Sequence, residues 1–131
     1  MKIIFSLGWP PTVNSYYTCT KTGVHMSKRG RKYADDSSTL MREQNVPLDL
    51  EDGLSFTVIM YPPDKRIRDL DNHMKALQDA ITKHGVWKDD AQLHQLYVYR
   101  GEIVKGGKVS VMISEEGMII PTGMEEIIFG E

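Results

Sequence analysis

Residues 54–61, LSFTVIMY, followed at once by Pro62 and Pro63, leave this chain few ways to fold. Their β-branched and aromatic side chains form a strand, and the proline pair stops it. The strand delivers the chain into a charged stretch, KRIRDLDNHMK at 65–75. Leu70, Met74, Leu77 and Ile81 then recur at steps of four, three and four, the spacing of one buried helical stripe. A helix is therefore expected from Asp71 to His84, ended by Gly85, with Asp71, Lys75, Gln78, Asp79 and Thr82 on its polar side. A strand, a charged connection and an amphipathic helix in succession call for helices packed on a sheet.

The flanking segments extend that plan. KIIFSL at 2–7 reads as a first strand, ended by the loop GWPPTVNSYY. Ser27 offers a cap for a helix from about Lys28 to Gln44, stopped by Pro47. VWKDDAQ makes a turn, and LHQLYVYRGEIV and GKVSVMIS read as two further strands joined through Gly106 and Gly107. The order β-α-β-α-β-β predicts an α+β (mixed α/β) fold, a single domain with a mixed sheet and packed helices. The 131 residues suffice for one core. We assign 1–114 to the domain and 115–131 to an acidic C-terminal tail. That tail either hangs free or docks on this chain or a partner through Met118, Ile119, Ile120, Ile127, Ile128 and Phe129.

Composition excludes several classes. With 40% hydrophobic and 26% charged residues the chain is ordinary globular material. Pro10 and Pro11 cut short the apolar opening, and no apolar run reaches membrane-spanning length, so no membrane partner and a cytoplasmic location are expected. Cys19, the single cysteine, excludes an internal disulfide and a cysteine-rich zinc site, in keeping with a reducing compartment. The net charge of −2 conceals a segregation. Residues 1–34 hold six cations and no acid, whereas five of the 18 acids lie in 115–131, leaving 13 against all 16 cations. The body of the chain is mildly basic and open to a polyanion.

Within the charged stretch, Asp69 and Asp71 stand at i and i+2, so an extended backbone points both carboxylates to one side. Asp89 and Asp90 follow the helix, and a strand leaving that turn can run back toward the helix start, bringing a third carboxylate near. Three such groups need a divalent ion to offset their repulsion, and an all-oxygen set suits Mg²⁺, with Mn²⁺ as a substitute. Lys75, one turn after Asp71, is placed to stabilise charge building on a phosphate. Lys65, Arg66 and Arg68 are candidates for flanking phosphates, as is the basic group Lys28, Arg29, Arg31 and Lys32. A purely structural reading competes: Asp71 as a helix cap, Lys75 and Asp79 as an ordinary ion pair, Asp89 and Asp90 as turn residues. The intervening DKRIR argues against a phosphatase nucleophile, and the missing acidic ladder against a calcium loop. His25, His73, His84 and His94 lack paired metal spacing. Trp9, Tyr16, Tyr17 and Trp87 serve equally as base-stacking or core aromatics.

RIRDLDNHMKALQDAITKHGVWKDDAQ at 66–92 closely resembles the RusA family of Holliday junction resolvases, small Mg²⁺-dependent endonucleases of bacteria and their phages. Weaker similarity runs from WPPTVNSYY to KGGKVSVMIS. The combination of R-D-L-D-N, a Lys four after the second Asp, and G-x-x-x-D-D-A-Q carries the likeness. It implies Asp69, Asp71 and Asp90 as metal-binding catalytic acids, Lys75 as catalytic lysine and Asp89 as a supporting acid. It further implies a homodimer that nicks opposing strands of a four-way DNA junction, water attacking the phosphodiester in line to leave 5′-phosphate and 3′-hydroxyl ends. Asn72 and Asn14 are candidates for positioning DNA. Two other readings stay open, a module that binds branched DNA without cutting and a nuclease for other branched phage intermediates. The acidic tail has no place in the family pattern.

Overall fold

The computed structural model describes residues 1–115. The tail beyond Glu115, with its six apolar candidates for docking, lies outside the described residues.

Strand β4 (Leu54–Tyr61) forms where the apolar run predicts it. Every residue from Leu54 to Met60 is buried, because β4 sits inside a four-stranded sheet ordered β1-β6-β4-β5. β1 (Lys2–Gly8) and β6 (Lys108–Glu115) are antiparallel, as are β6 and β4, while β4 and β5 (Leu93–Arg100) run parallel. The parallel pair follows from the helix between its strands, which returns the chain to the same end of the sheet. The expected link between the last two strands is thus corrected in one respect. They are not neighbours; β4 lies between them, and Gly106 and Gly107, both at positive φ, turn the chain just before β6. A Cβ on Gly107 would meet the Trp9 side chain at 2.7 Å, so that turn requires glycine twice over.

Helix α2 (Lys28–Glu43) starts at the expected cap, where the Ser27 hydroxyl accepts from the Gly30 amide at 3.0 Å. Its buried face is made of Gly30, Ala34 and Ser37, small residues that admit close approach, followed by Met41, which fills the core. A side chain at Gly30 would strike the Tyr16 carbonyl. Helix α3 (Asp71–His84) buries Met74, Leu77 and Ile81 as its stripe requires, each contributing about 1.5–3 kcal/mol. Gly85, at φ 100°, ends it. Both helices pack on one face of the sheet against Phe5, Leu7, Val58 and Val111.

Sequence reasoning expected a loop at 8–17, and three short elements occupy the region after Gly8. α1 (Val13–Tyr16) is a single turn capped by Thr12 and packed against α2 and α3. β2 (Tyr17–Thr20) and β3 (Gly23–Met26) form a separate hairpin. Thr18, Cys19, Thr20, Val24 and His25 are exposed there, so no alternation of apolar and polar residues announces the strands.

Candidate active site

Asp71 is the first residue of α3 and not its cap. Leu70 occupies the cap position in helical conformation, with no side chain closing the end. Both Asp69 and Asp71 are exposed, and among the described residues neither carboxylate has a hydrogen-bond or ion-pair partner. The extended entry expected from their i, i+2 spacing is not found: Leu70 between them is helical, and residues two apart in such a turn do not point to one side. The helix terminus favours negative charge there, and each carboxylate is by itself open to a cation.

One turn further, Lys75 lies between two acids. Its Nζ is 3.1 Å from Asp79 and 3.6 Å from Asp90. Asp79 follows by helical periodicity, one turn along the same face. Asp90 arrives because the chain leaves α3 through Gly85, turns, and returns in a 3₁₀ turn at Asp90–Gln92 that feeds β5. Burial, and next the charge of Asp90, push the Asp79 carboxyl up to about 6. Lys75, half exposed and shared between two carboxylates, does not offset them. Tyr16 is buried close by, its phenol raised to about 12 by burial and by Asp79, and its hydroxyl has no partner among the described residues.

The two adjacent acids of the turn divide their work. Asp89 is a cap: its carboxylate accepts from the Ala91 amide at 2.8 Å, and Gln92 accepts from the Asp89 and Lys88 amides. Asp90 instead faces α3, where its Oδ1 accepts from the Thr82 hydroxyl at 2.9 Å and the Trp87 indole at 3.3 Å. The indole also donates to Thr82 at 2.6 Å. Oδ2 is left to Lys75.

The Lys75–Asp79 ion pair expected from helical spacing is present, whereas sequence reasoning gave Thr82 and Trp87 no part beside Asp90. The signal for Thr82 was its place on the polar side of α3; that for Trp87 was absent, since its contact depends on the turn. Asp71 and Lys75 also line, with Leu70, Met74 and Gln78, a groove of about 390 Å³ against Leu96 and Val98 of β5.

Among the described residues, no three His, Cys, Asp or Glu side chains converge into a ready-made metal cluster. Asp90 is turned to Lys75, and Asp69 and Asp71 stand at the open end of the helix. The donor chemistry fits a hard divalent ion, since the unpartnered groups are carboxylate oxygens and no thiol or imidazole faces them. His73, the histidine nearest the acids, is buried with Nδ1 donating to the Pro10 carbonyl at 2.8 Å and its ring against Trp9. It is a structural residue.

The expected DNA-contacting cations fall into three groups. Lys65 and Arg66 are exposed a few positions before Asp69, Arg66 with its guanidinium 3.9 Å from Asp64. Arg68 turns inward: its guanidinium pairs with Asp64 at 2.7 Å and lies over the Trp9 ring, only 15% of the side chain remaining exposed. Lys28, Arg29, Arg31 and Lys32 are exposed on the first turns of α2, with Lys32 paired to Asp36 at 2.9 Å. Asn72, on α3, and Asn14, on α1, are exposed. No helix among the described residues is long and apolar enough to cross a membrane.

The family model for endodeoxyribonuclease RusA matches residues 8–114, from the end of β1 through β6. The chain belongs to the RusA family. The crossover junction endodeoxyribonuclease RusA of Escherichia coli is 36% identical over 112 residues, covering 86% of this chain and 93% of the relative. The proteins of the same description from Shigella sonnei and from Enterobacteria phage 82 show the same identity and coverage. The RusA match includes every element that carries Asp69, Asp71, Lys75 and Asp90, and stops where the acidic tail begins.

Proposed function

We propose that the chain is a Mg²⁺-dependent endodeoxyribonuclease that resolves four-way DNA junctions by paired, symmetric nicks, acting as a homodimer in the bacterial cytoplasm. The observation that carries the reading is the Lys75 ammonium beside Asp90, on the helix that starts at the unpartnered Asp71 and is preceded by the unpartnered Asp69. Membership of the RusA family supports it, since the relatives are described as crossover junction endodeoxyribonucleases.

Asp69, Asp71 and Asp90 would hold the ion, with Mn²⁺ as a substitute; when bound it supplies Lewis-acid charge beside the phosphate. Lys75 places its ammonium against the negative charge that develops as a water attacks phosphorus in line and the 3′ oxygen departs. Asp90 serves only because Thr82 and Trp87 fix one of its oxygens. Lys65 and Arg66 hold the backbone on the near side. The cations at the start of α2 oppose the positive end of that helix, which has no acid in its first turn, and a phosphate there would relieve the repulsion. Asn72 and Asn14 are available to orient the strand. A homodimer supplies the second centre that one chain lacks.

The test is cleavage of an end-labelled four-way junction with Mg²⁺ and with EDTA, beside Asp71→Asn. Paired nicks that need the metal and vanish in the variant, while junction binding persists, support the reading. Junction binding without nicks in either protein would establish a binding module, and faster cutting of flap or Y-shaped DNA a nuclease for other branches.

A further inference from the structure

Ile67 is 100% exposed, more than any other large apolar side chain among the described residues. A single exposed apolar residue on a loose loop needs no account. The loop here is fastened on both sides of it. The Asp64 carboxylate accepts from the Arg66 amide at 2.9 Å and from the Arg68 guanidinium at 2.7 Å. Arg68 also reaches back to the Arg66 carbonyl at 3.3 Å, and Arg100, at the end of β5, donates to the Arg68 carbonyl at 2.8 Å. Residues 64, 66 and 68 are tied down, and Ile67 is carried at the tip. Its branched side chain is stiff at χ1, so the tip ends in a rigid apolar wedge.

The surroundings define what such a wedge meets. Lys65 and Arg66 are exposed beside it, and Asp69 lies two positions on. A flanking rim of cations selects a polyanion over an apolar protein surface. A strand gripped by Lys65 and Arg66, with its scissile phosphate at Asp69 and Asp71, has the bases next to that phosphate in reach of position 67. Apolar side chains of this size enter DNA between base steps and unstack them at a cost of a few kcal/mol per step in continuous duplex. The cost is smaller where stacking is already broken, at a branch.

Resting on the nuclease reading, we infer that Ile67 is a wedge that enters the base stack beside the cleaved phosphate and selects branch points over continuous duplex. It is a specificity-determining residue, and its full exposure leaves the fold indifferent to its replacement.

The experiment places 2-aminopurine at the branch point of a four-way junction and reads its fluorescence on binding in EDTA, where no cleavage occurs. The wild-type protein should raise the fluorescence, Ile67→Ser should bind with little rise, and Ile67→Phe should restore it. In Mg²⁺, Ile67→Ser should lose about tenfold of the preference for junction over nicked duplex. An unchanged rise with Ile67→Ser, or none with wild-type protein bound, overturns the wedge. Those outcomes are separate from failure of the nuclease reading, which would show as absence of Mg²⁺-dependent nicks by the wild-type protein. Absence of junction binding would sink both.

Discussion

Lys75 and Asp90, separated in the chain by most of α3 and a turn, face each other across 3.6 Å. The contact is directional because Thr82 and Trp87 hold the other Asp90 oxygen. Thr82→Val keeps the side-chain volume and removes the hydroxyl on which the indole and the carboxylate both rely. It is expected to cost about 1–3 kcal/mol in urea unfolding, since the buried indole loses an acceptor. Single-turnover cleavage should fall by more than junction affinity does, because orientation and not binding is lost. Equal losses in both would assign Thr82 to the fold alone.

Asp79 sets a pH dependence of stability. Its carboxyl rises from 3.8 in the unfolded chain to about 6 in the fold. The folded state therefore holds the extra proton in that window, and the contribution is fully present below it and lost as pH rises through about 6. Asp79→Asn carries no titrating group and should lack that decline. Thermal melts from acid to neutral pH should show the variant gaining on the wild-type protein; a constant difference would refute the assignment.

Arg66 and Arg68, two residues apart, should behave differently. Arg66 is exposed, and Arg66→Ala should reduce the slope of log affinity against log salt by roughly one, as loss of a single phosphate contact does. Arg68 holds Asp64, whose carboxyl it draws down to about 2, with help from the Arg66 amide. Arg68→Ala should return Asp64 toward its ordinary carboxylate value by NMR titration and leave the salt slope nearly unchanged. A reduced slope instead would make Arg68 a phosphate contact.

Tyr16 is buried, and its hydroxyl has no partner among the described residues. Removing an unsatisfied buried hydroxyl relieves its desolvation, so Tyr16→Phe should be neutral or stabilising by up to about 1 kcal/mol. Urea unfolding measures it. A clear loss of stability would mean that the hydroxyl is satisfied in solution, for instance by water near Asp79.

The strands at Lys2–Gly8 and Leu54–Tyr61, helix α3 with its glycine stop and helix α2 with its Ser27 cap were all written in local patterns, which act through neighbours in the chain. So were the members of the proposed site: Asp69, Asp71, Lys75 and Asp90 stand in a motif specific enough to carry the family. The hairpin β2–β3 was not legible, because strands exposed on both faces need no hydrophobic alternation. Tertiary structure alone decided that β4 separates β5 from β6, since strand order depends on which edges bury most surface and not on sequence adjacency. It also decided the fate of like residues a step apart: Asp89 a cap and Asp90 a partner of Lys75, Arg66 exposed and Arg68 folded onto Asp64. A side chain's chemistry is set by its type, but what it pairs with is set by the backbone that aims it.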